Sequence, residues 1–348
     1  MAYPIIDSHI HLWPASAVSA HSWATAQPTL AKRLSTTEYR AAHMDLERVR
    51  GFILVEAGRT HGADPREAAS WAAALDEIAW FRRVVEGSAA ADEGHAAADA
   101  RLCLGVVPWA PVAGGAAAVE AYLAQAEERA GAATWKLVRG FRYLLQDAQA
   151  GLAASEAFVE GLRVLGKRGY VFEVGVDQHR HGKKQLDEML DMISKAHEGV
   201  ADEDKVTFVI NHLAKPDLHI VNPADKKFQA WRTSMYSLSL CAKTYVQVSG
   251  LFSEMPASIR GQSSNDVFAA VFPWLSVVLA TFGADRLMFA SDWPVCSKEE
   301  DGASWIKWKE VVERLCYMAT LSQEDQAKIF GGTAKKAFKL DVDLSEEA

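Results

Sequence analysis

Two histidines stand two residues apart near the start of the chain, in the run Asp7-Ser8-His9-Ile10-His11-Leu12-Trp13. On an extended backbone residues i and i+2 face the same side, so His9 and His11 can converge on one cation or one substrate oxygen. A carboxylate would complete such a site. Asp292 supplies one, closing a short apolar run near the other end of the chain, Arg286-Leu287-Met288-Phe289-Ala290-Ser291-Asp292. An ionised carboxylate is acceptor-only, which suits both ligation of an ion and removal of a proton from attacking water. Glu173 sits inside an apolar run, where an unpaired carboxylate is costly, so a metal, a water or an arginine is its expected partner. His212, in Asn211-His212-Leu213-Ala214-Lys215-Pro216, reads as a ligand or substrate contact, although a capped turn histidine has the same surroundings. Arg142 offers a donor fork to a hydroxylated or carboxylated substrate, and Glu56 reads equally as a substrate contact or as the partner of an arginine. Trp13 and Trp293 flank these groups, flat apolar surfaces suited to the face of a ring-shaped ligand or to plain core packing.

The elements that bring such distant residues together are legible as a repeat. Eight β-rich runs occur at 4–7, 51–55, 101–107, 135–138, 170–174, 206–210, 244–248 and 286–290. Their starts lie roughly 35 to 50 residues apart, room for one crossover helix each. Helical apolar spacing fills the intervals, as at 68–85, 117–130, 157–167, 186–196 and 228–242, with two further helices expected at 305–319 and 323–338. Several strands are apolar on both faces, as parallel strands covered by helices must be. The expected fold is therefore α/β, a (β/α)8 barrel forming one domain over residues 1–348, with extra C-terminal helices. In that fold reactive groups belong at the C-terminal ends of the strands, where His9, His11, Glu56, Arg142, Glu173, His212 and Asp292 all fall. The Ala- and Gly-rich segment 87–100 reads as a surface loop insertion, and the Trp-bearing loop 12–36 as a cover for the barrel mouth.

Composition narrows the partners. The 348 residues are 49% hydrophobic and 24% charged, with a formal net charge of -8. That balance suits a folded globular chain and argues against nucleic acid or an anionic membrane as partner. The uncharged stretch 267–284 is long enough for a membrane span, but Pro273, Ser276 and Thr281 interrupt it and a buried helix is expected. Four cysteines, Cys103, Cys241, Cys296 and Cys316, form no CxxC and read as free thiols in a reducing compartment. No basic region followed by an apolar one opens the chain, so a cytoplasmic protein is expected.

The opening Asp7-Ser8-His9-Ile10-His11-Leu12-Trp13 and the closing Ser291-Asp292-Trp293-Pro294 together resemble the amidohydrolase superfamily, and within it the branch of sugar lactonases. The likeness extends to Lys136 through Arg142 and Asn211 through Pro216, and so covers nearly the whole chain. It implies hydrolysis of a sugar-acid lactone of the rhamnonate, fuconate or galactarate type, a small-molecule substrate, and one divalent ion, zinc by expectation. Some members of the branch polarise the carbonyl with the histidines directly, so a metal-free site is compatible with the likeness, as is a homo-oligomer. Two departures from the binuclear pattern stand out. Lys136 lies near the start of expected strand four rather than its end, and strand five offers Glu173 in place of a histidine.

The expected activity is opening of an aldonolactone, with an ion on His9, His11 and Asp292 or Glu173 polarising the carbonyl. Asp292 would activate the water, and His212 or protonated Asp292 would reprotonate the ring oxygen. Arg142, Glu56, Trp13 and Trp293 are the expected substrate contacts. The alternative is a metal-dependent nonoxidative decarboxylase of an aromatic acid, which the resemblance also admits because such enzymes share the HxH opening and the late aspartate.

Overall fold

A computed structural model describes residues 3–43, 47–297 and 304–345. Eight parallel strands run in chain order: β1 Ile5–Ile10, β2 Val49–Val55, β3 Cys103–Val107, β4 Gly140–Leu144, β5 Val171–Gly175, β6 Thr207–Ile210, β7 Thr244–Val248 and β8 Leu287–Phe289. They form a three-stranded and a five-stranded ladder, and two seams join them into a barrel. At one seam Val106 bridges Val138 and Trp109 bridges Arg142. At the other Ile10 bridges Trp293, the His11 amide donates to the Trp293 carbonyl at 2.8 Å, and the Asp292 amide donates to the His9 carbonyl at 3.1 Å.

Helices cover the outside: α1 Thr36–Ala42, α2 Ala72–Glu86, α3 Gly115–Trp135, α4 Glu156–Lys167, α5 Lys183–His197, α6 Lys226–Ser239, α7 Ser264–Phe282 and α8 Ser304–Met318. Several start where a short polar side chain caps an orphan amide: Ser155 accepts from Phe158 in α4, Asp225 from Lys227 in α6 and Ser263 from Asp266 in α7. The apolar stretch forms α7 and buries Val267, Val271, Trp274 and Val278, while Phe272 on its other side is 39% exposed. By length and composition alone it would suffice to cross a membrane, and 39% of its most apolar window is buried within the protein.

The barrel interior is layered by the strand period of two. Ile6, Ile53, Val107, Val171, Val209 and Met288 fill its lower part, and Phe338 and Leu340, after the last helical turns, close the N-terminal end. On β5 the inward face that carries Val171 next carries Glu173, which puts a carboxylate above an apolar plug.

Strand four is displaced from its expected place. Residues 135–138 end α3, which continues past a kink at Gly131 (φ 69°), and form the turn that follows it. The strand is Gly140–Leu144, so Arg142 lies within it and Lys136 lies before it. Segment 87–100 is mostly exposed, yet Glu93, His95 and Asp99 are buried and anchor it. Loop 12–36 folds over one side of the barrel mouth, with Trp13 and Leu34 in backbone register.

Candidate active site

Four side chains from three strands of the barrel meet above the apolar plug. His9 projects from β1, His11 and Asp292 follow β1 and β8, and His212 follows β6. All are buried. His9 Nε2 and His11 Nε2 are 3.0 Å apart. Asp292 Oδ1 stands 3.8 Å from His9 Nε2 and 3.7 Å from both His11 Nε2 and His212 Nε2. At those lengths Asp292 is not hydrogen-bonded to the rings, so one carboxylate oxygen and three imidazole nitrogens face a common point.

Backbone and neighbours fix these orientations. His212, Leu213, Ala214 and Lys215 all have positive φ, between 48° and 61°, and Asp292 has φ 59°. Runs of non-glycine residues in the left-handed region are costly and concentrate where a structure must aim side chains. Gly250 (φ 66°) makes room for His212, because a Cβ there would lie 2.4 Å from the ring. The Ser249 hydroxyl pairs with His212 Nδ1 at 2.8 Å.

The outward nitrogens of the paired histidines are also held. His11 Nδ1 donates to the Val55 carbonyl at 3.2 Å, and His9 Nδ1 donates to Glu173 Oε2 at 2.9 Å. Each ring then turns an Nε2 lone pair toward the other, a contact between two acceptors that a cation relieves. Glu173 also accepts from Asn211 Nδ2 at 3.0 Å and Gln247 Nε2 at 3.2 Å. A carboxylate behind a histidine in this way fixes the tautomer and strengthens the imidazole as a ligand. Burial, helped by the charge of Arg142, lowers the affinity of His9, His11 and His212 for a proton well below the ordinary value, leaving neutral rings as metal ligation requires. Burial pushes Asp292 up to about 7 against the pull of Lys215 and Arg142. The donor set of His9, His11 and Asp292, with His212 beside it, fits one divalent cation.

His11, His212 and Asp292 line the floor of a cavity of about 610 Å³, with His9 buried directly behind them, and the walls include Trp13, Trp23, Arg142, His179, Lys215 and Glu254. Arg142 is buried, reaches Glu56 Oε1 at 3.4 Å, and keeps its Nε without a protein partner. Glu56 also accepts from the Gly58 amide at 2.7 Å.

A match to the amidohydrolase family covers residues 6–340. The chain belongs to that family. This amidohydrolase is 28% identical over 349 residues to an L-rhamnono-gamma-lactonase of Scheffersomyces stipitis, with 97% of this chain and 99% of the relative aligned. It is 30% identical over 205 residues to an L-fucono-1,5-lactonase of Burkholderia multivorans, covering 58% of this chain and 63% of that one. An amidohydrolase of Burkholderia multivorans crystallised with zinc has a TM-score of 0.71 at 26% identity, covering 97% of this chain and 99% of that one.

Within this amidohydrolase, His11, His212, Asp292, Arg142 and Trp13 stand at the cavity, and His9 is buried just beneath it against His11. Three expected site residues stand elsewhere. Glu173 lies behind His9, bonded to its far nitrogen. Glu56 lies behind Arg142 and is not among the cavity-lining residues. Trp293 is turned away from the cavity floor and packs on Tyr39, with ring centroids 5.5 Å apart, because its backbone rather than its ring meets β1. Trp23, in the loop expected to cover the mouth, also lines the cavity, whereas sequence reasoning missed Lys215, Glu254 and Gln247. Lys215 was within reach, since it stands in the same Asn211–Pro216 run as His212; the others carry no local signal.

Proposed function

We propose that this amidohydrolase opens a polyhydroxylated sugar-acid lactone to the hydroxy acid. The observation that carries this reading is the convergence of Asp292 Oδ1 with three imidazole Nε2 atoms at the foot of a large cavity that mixes charged and apolar walls. The lactonases among its relatives support the same chemistry. His9, His11 and Asp292 would hold one divalent ion, for which zinc suits the nitrogen and oxygen donors, and Glu173 orients His9 as a ligand. When bound, that ion supplies Lewis-acid polarisation of the ester carbonyl and makes water more acidic.

Asp292 accepts the proton of the attacking water as the water oxygen joins the carbonyl carbon. When the acyl carbon–ring oxygen bond breaks, the departing alkoxide takes that proton back from Asp292, directly or relayed through His212. Arg142, held from behind by Glu56, lines the cavity and presents guanidinium donors not taken by Glu56 to substrate oxygens. Trp13 and Trp23 give the cavity an apolar wall against which a ring face can lie. The four free thiols favour a reducing compartment.

A plain alkyl lactone leaves the polar walls unpaired, at about 1 to 3 kcal/mol for each group. Five- or six-membered aldonolactones are therefore expected to be hydrolysed at least about a hundred-fold faster, in kcat/KM, than γ-butyrolactone. A weakly buffered indicator dye reads the proton released. Comparable values for the two substrates would sink the reading. Release of carbon dioxide from a dihydroxybenzoate, without lactone opening, would establish the decarboxylase in its place.

A further inference from the structure

A second set of metal-type donors lies outside the barrel centre, where the loop after β5 meets the loop after β6. His179 stands on the single helical turn Gln178–His181, and Asp217 and His219 follow the left-handed run that ends at Lys215. His179 Nε2 is 3.5 Å from Asp217 Oδ1, and His219 Nδ1 is 3.3 Å from the same oxygen. The three donor atoms all lie within 4.8 Å of one another. For metal–ligand bonds of about 2.0–2.1 Å, the edge of a tetrahedron is roughly 3.3–3.4 Å, so the carboxylate-to-ring spacings are already those of a shared ion.

The surroundings reinforce the fit. Glu254 Oε2 lies 3.1 Å from His179 Nδ1, taking that proton and leaving the Nε2 lone pair aimed at Asp217. This is the carboxylate–histidine arrangement that orients a metal ligand from behind. Asp217 is itself fixed, buried to 7% exposure, its Oδ1 accepting from the His219 amide at 3.2 Å. Each ring therefore sets a nitrogen opposite a carboxylate oxygen, and one cation satisfies both contacts. Lys227 opposes such an ion, since its Nζ lies 3.4 Å from Asp217 Oδ2, the oxygen turned away from the histidines.

We propose that His179, Asp217 and His219 form a second, weaker site for a divalent cation of the zinc type, with water completing its shell. Two imidazoles and one carboxylate select zinc, cobalt, nickel or copper over magnesium or calcium. The site is weaker than the barrel centre because His219 is more than half exposed and Lys227 repels the ion. Occupancy would tie the β5 and β6 loops together at the cavity rim, since His179 lines the cavity and Glu254 links it to Lys215 at 3.7 Å. The rim site is independent of which ester the barrel centre opens.

The test is titration of chelator-stripped full-length protein with zinc sulfate by calorimetry, and with cobalt(II) by visible absorption. The wild type should show one tight and one weaker class of site. His219→Gln, at an exposed position that folding does not depend on, should lose only the weaker class, and His11→Gln only the tight one. Lys227→Gln should tighten the weaker class by about three- to ten-fold and leave the other unchanged. A single class in the wild type, or a weaker class that persists unaltered in His219→Gln, would overturn the assignment.

Discussion

At the scale of single residues, the site depends on side chains whose aim is set by backbone conformations that few residue types adopt. Asp292→Asn removes the acceptor that takes the proton from water but preserves volume. Turnover is expected to fall by about two to four orders of magnitude with the unfolding midpoint unchanged; retention of more than about a tenth of the activity would make Asp292 structural. Gly250→Ala places a methyl 2.4 Å from the His212 ring in a left-handed conformation. The ring must move, its bond to Ser249 at 2.8 Å is lost, and displacements of about 1 Å at a reacting centre cost on the order of a hundred-fold. Steady-state kinetics of a variant that retains its fold would show the loss in kcat, and an unchanged kcat would mean that His212 is not needed in its present place. Of the residues that the sequence singled out, the structure gathers His9, His11, His212 and Asp292, ionisable groups at or next to strand ends. Trp293 was misread because the sequence does not distinguish a ring that faces the cavity from one whose backbone seals the barrel. Gln247 was invisible because a glutamine in a strand has no chemical signature until Glu173 is seen beside it.

At the scale of elements, seven of the eight strands fall where the apolar runs put them, and the exception is instructive. Residues 135–138 end a helix and meet β3 only through the bridge of Val138 to Val106, while Trp135 packs against Phe141 and Tyr170. The true β4, Gly140–Leu144, was hidden by Arg142, a charge inside a strand that makes sense only beside Glu56 and the cavity. The anchoring of segment 87–100 was not legible in the sequence, since its partners come from far away. Asp99 accepts from the Ala96 amide at 2.8 Å, the Thr36 hydroxyl at 2.9 Å and Arg40 at 2.7 Å, and so ties the segment to α1. Burial would raise the Asp99 carboxyl, but these donors outweigh it and hold the group below its ordinary value. A depressed carboxylate stabilises the folded state above its unfolded value, near 3.9, and that stability is lost as pH falls through the lower folded value. Amide exchange in 87–102 is therefore expected to accelerate as pH drops from about 5 toward 3, after correction for the intrinsic rate, and Asp99→Asn should show much of that acceleration already at pH 7. Protection that is equal in both proteins at pH 7 would assign the anchoring to Glu93 and Arg83 instead.

At the scale of the whole molecule, the barrel must bring the first strand against the last, and one buried carboxylate is placed where they meet. Asp7 on β1 accepts from the Ser291 amide at 2.7 Å, beyond β8, and from Trp305 Nε1 at 2.8 Å, on α8. Its second oxygen also takes the Tyr39 hydroxyl of α1 at 3.0 Å. A single side chain thus joins four segments drawn from both ends of the chain, and it is fully buried. Burial raises the Asp7 carboxyl, and the three donors pull it back. Every one of its partners is a donor, so Asp7→Asn turns an amide NH₂ toward groups that can only donate or that prefer to. One or two buried donors then go unsatisfied, at about 1 to 3 kcal/mol each. Equilibrium denaturation should show a loss of about 2 to 4 kcal/mol for Asp7→Asn. Asp292→Asn should leave stability nearly intact, because Asp292 meets the rings only at 3.7–3.8 Å. Activity separates the two further: Asp7→Asn, where folded, should keep most of its turnover at low temperature and lose it steeply on warming as the β1–β8 seam opens. A loss below about 0.5 kcal/mol in Asp7→Asn would mean that the seam is held by its ladder bonds, Ile10 to Trp293 and His9 to Asp292, without help from the carboxylate.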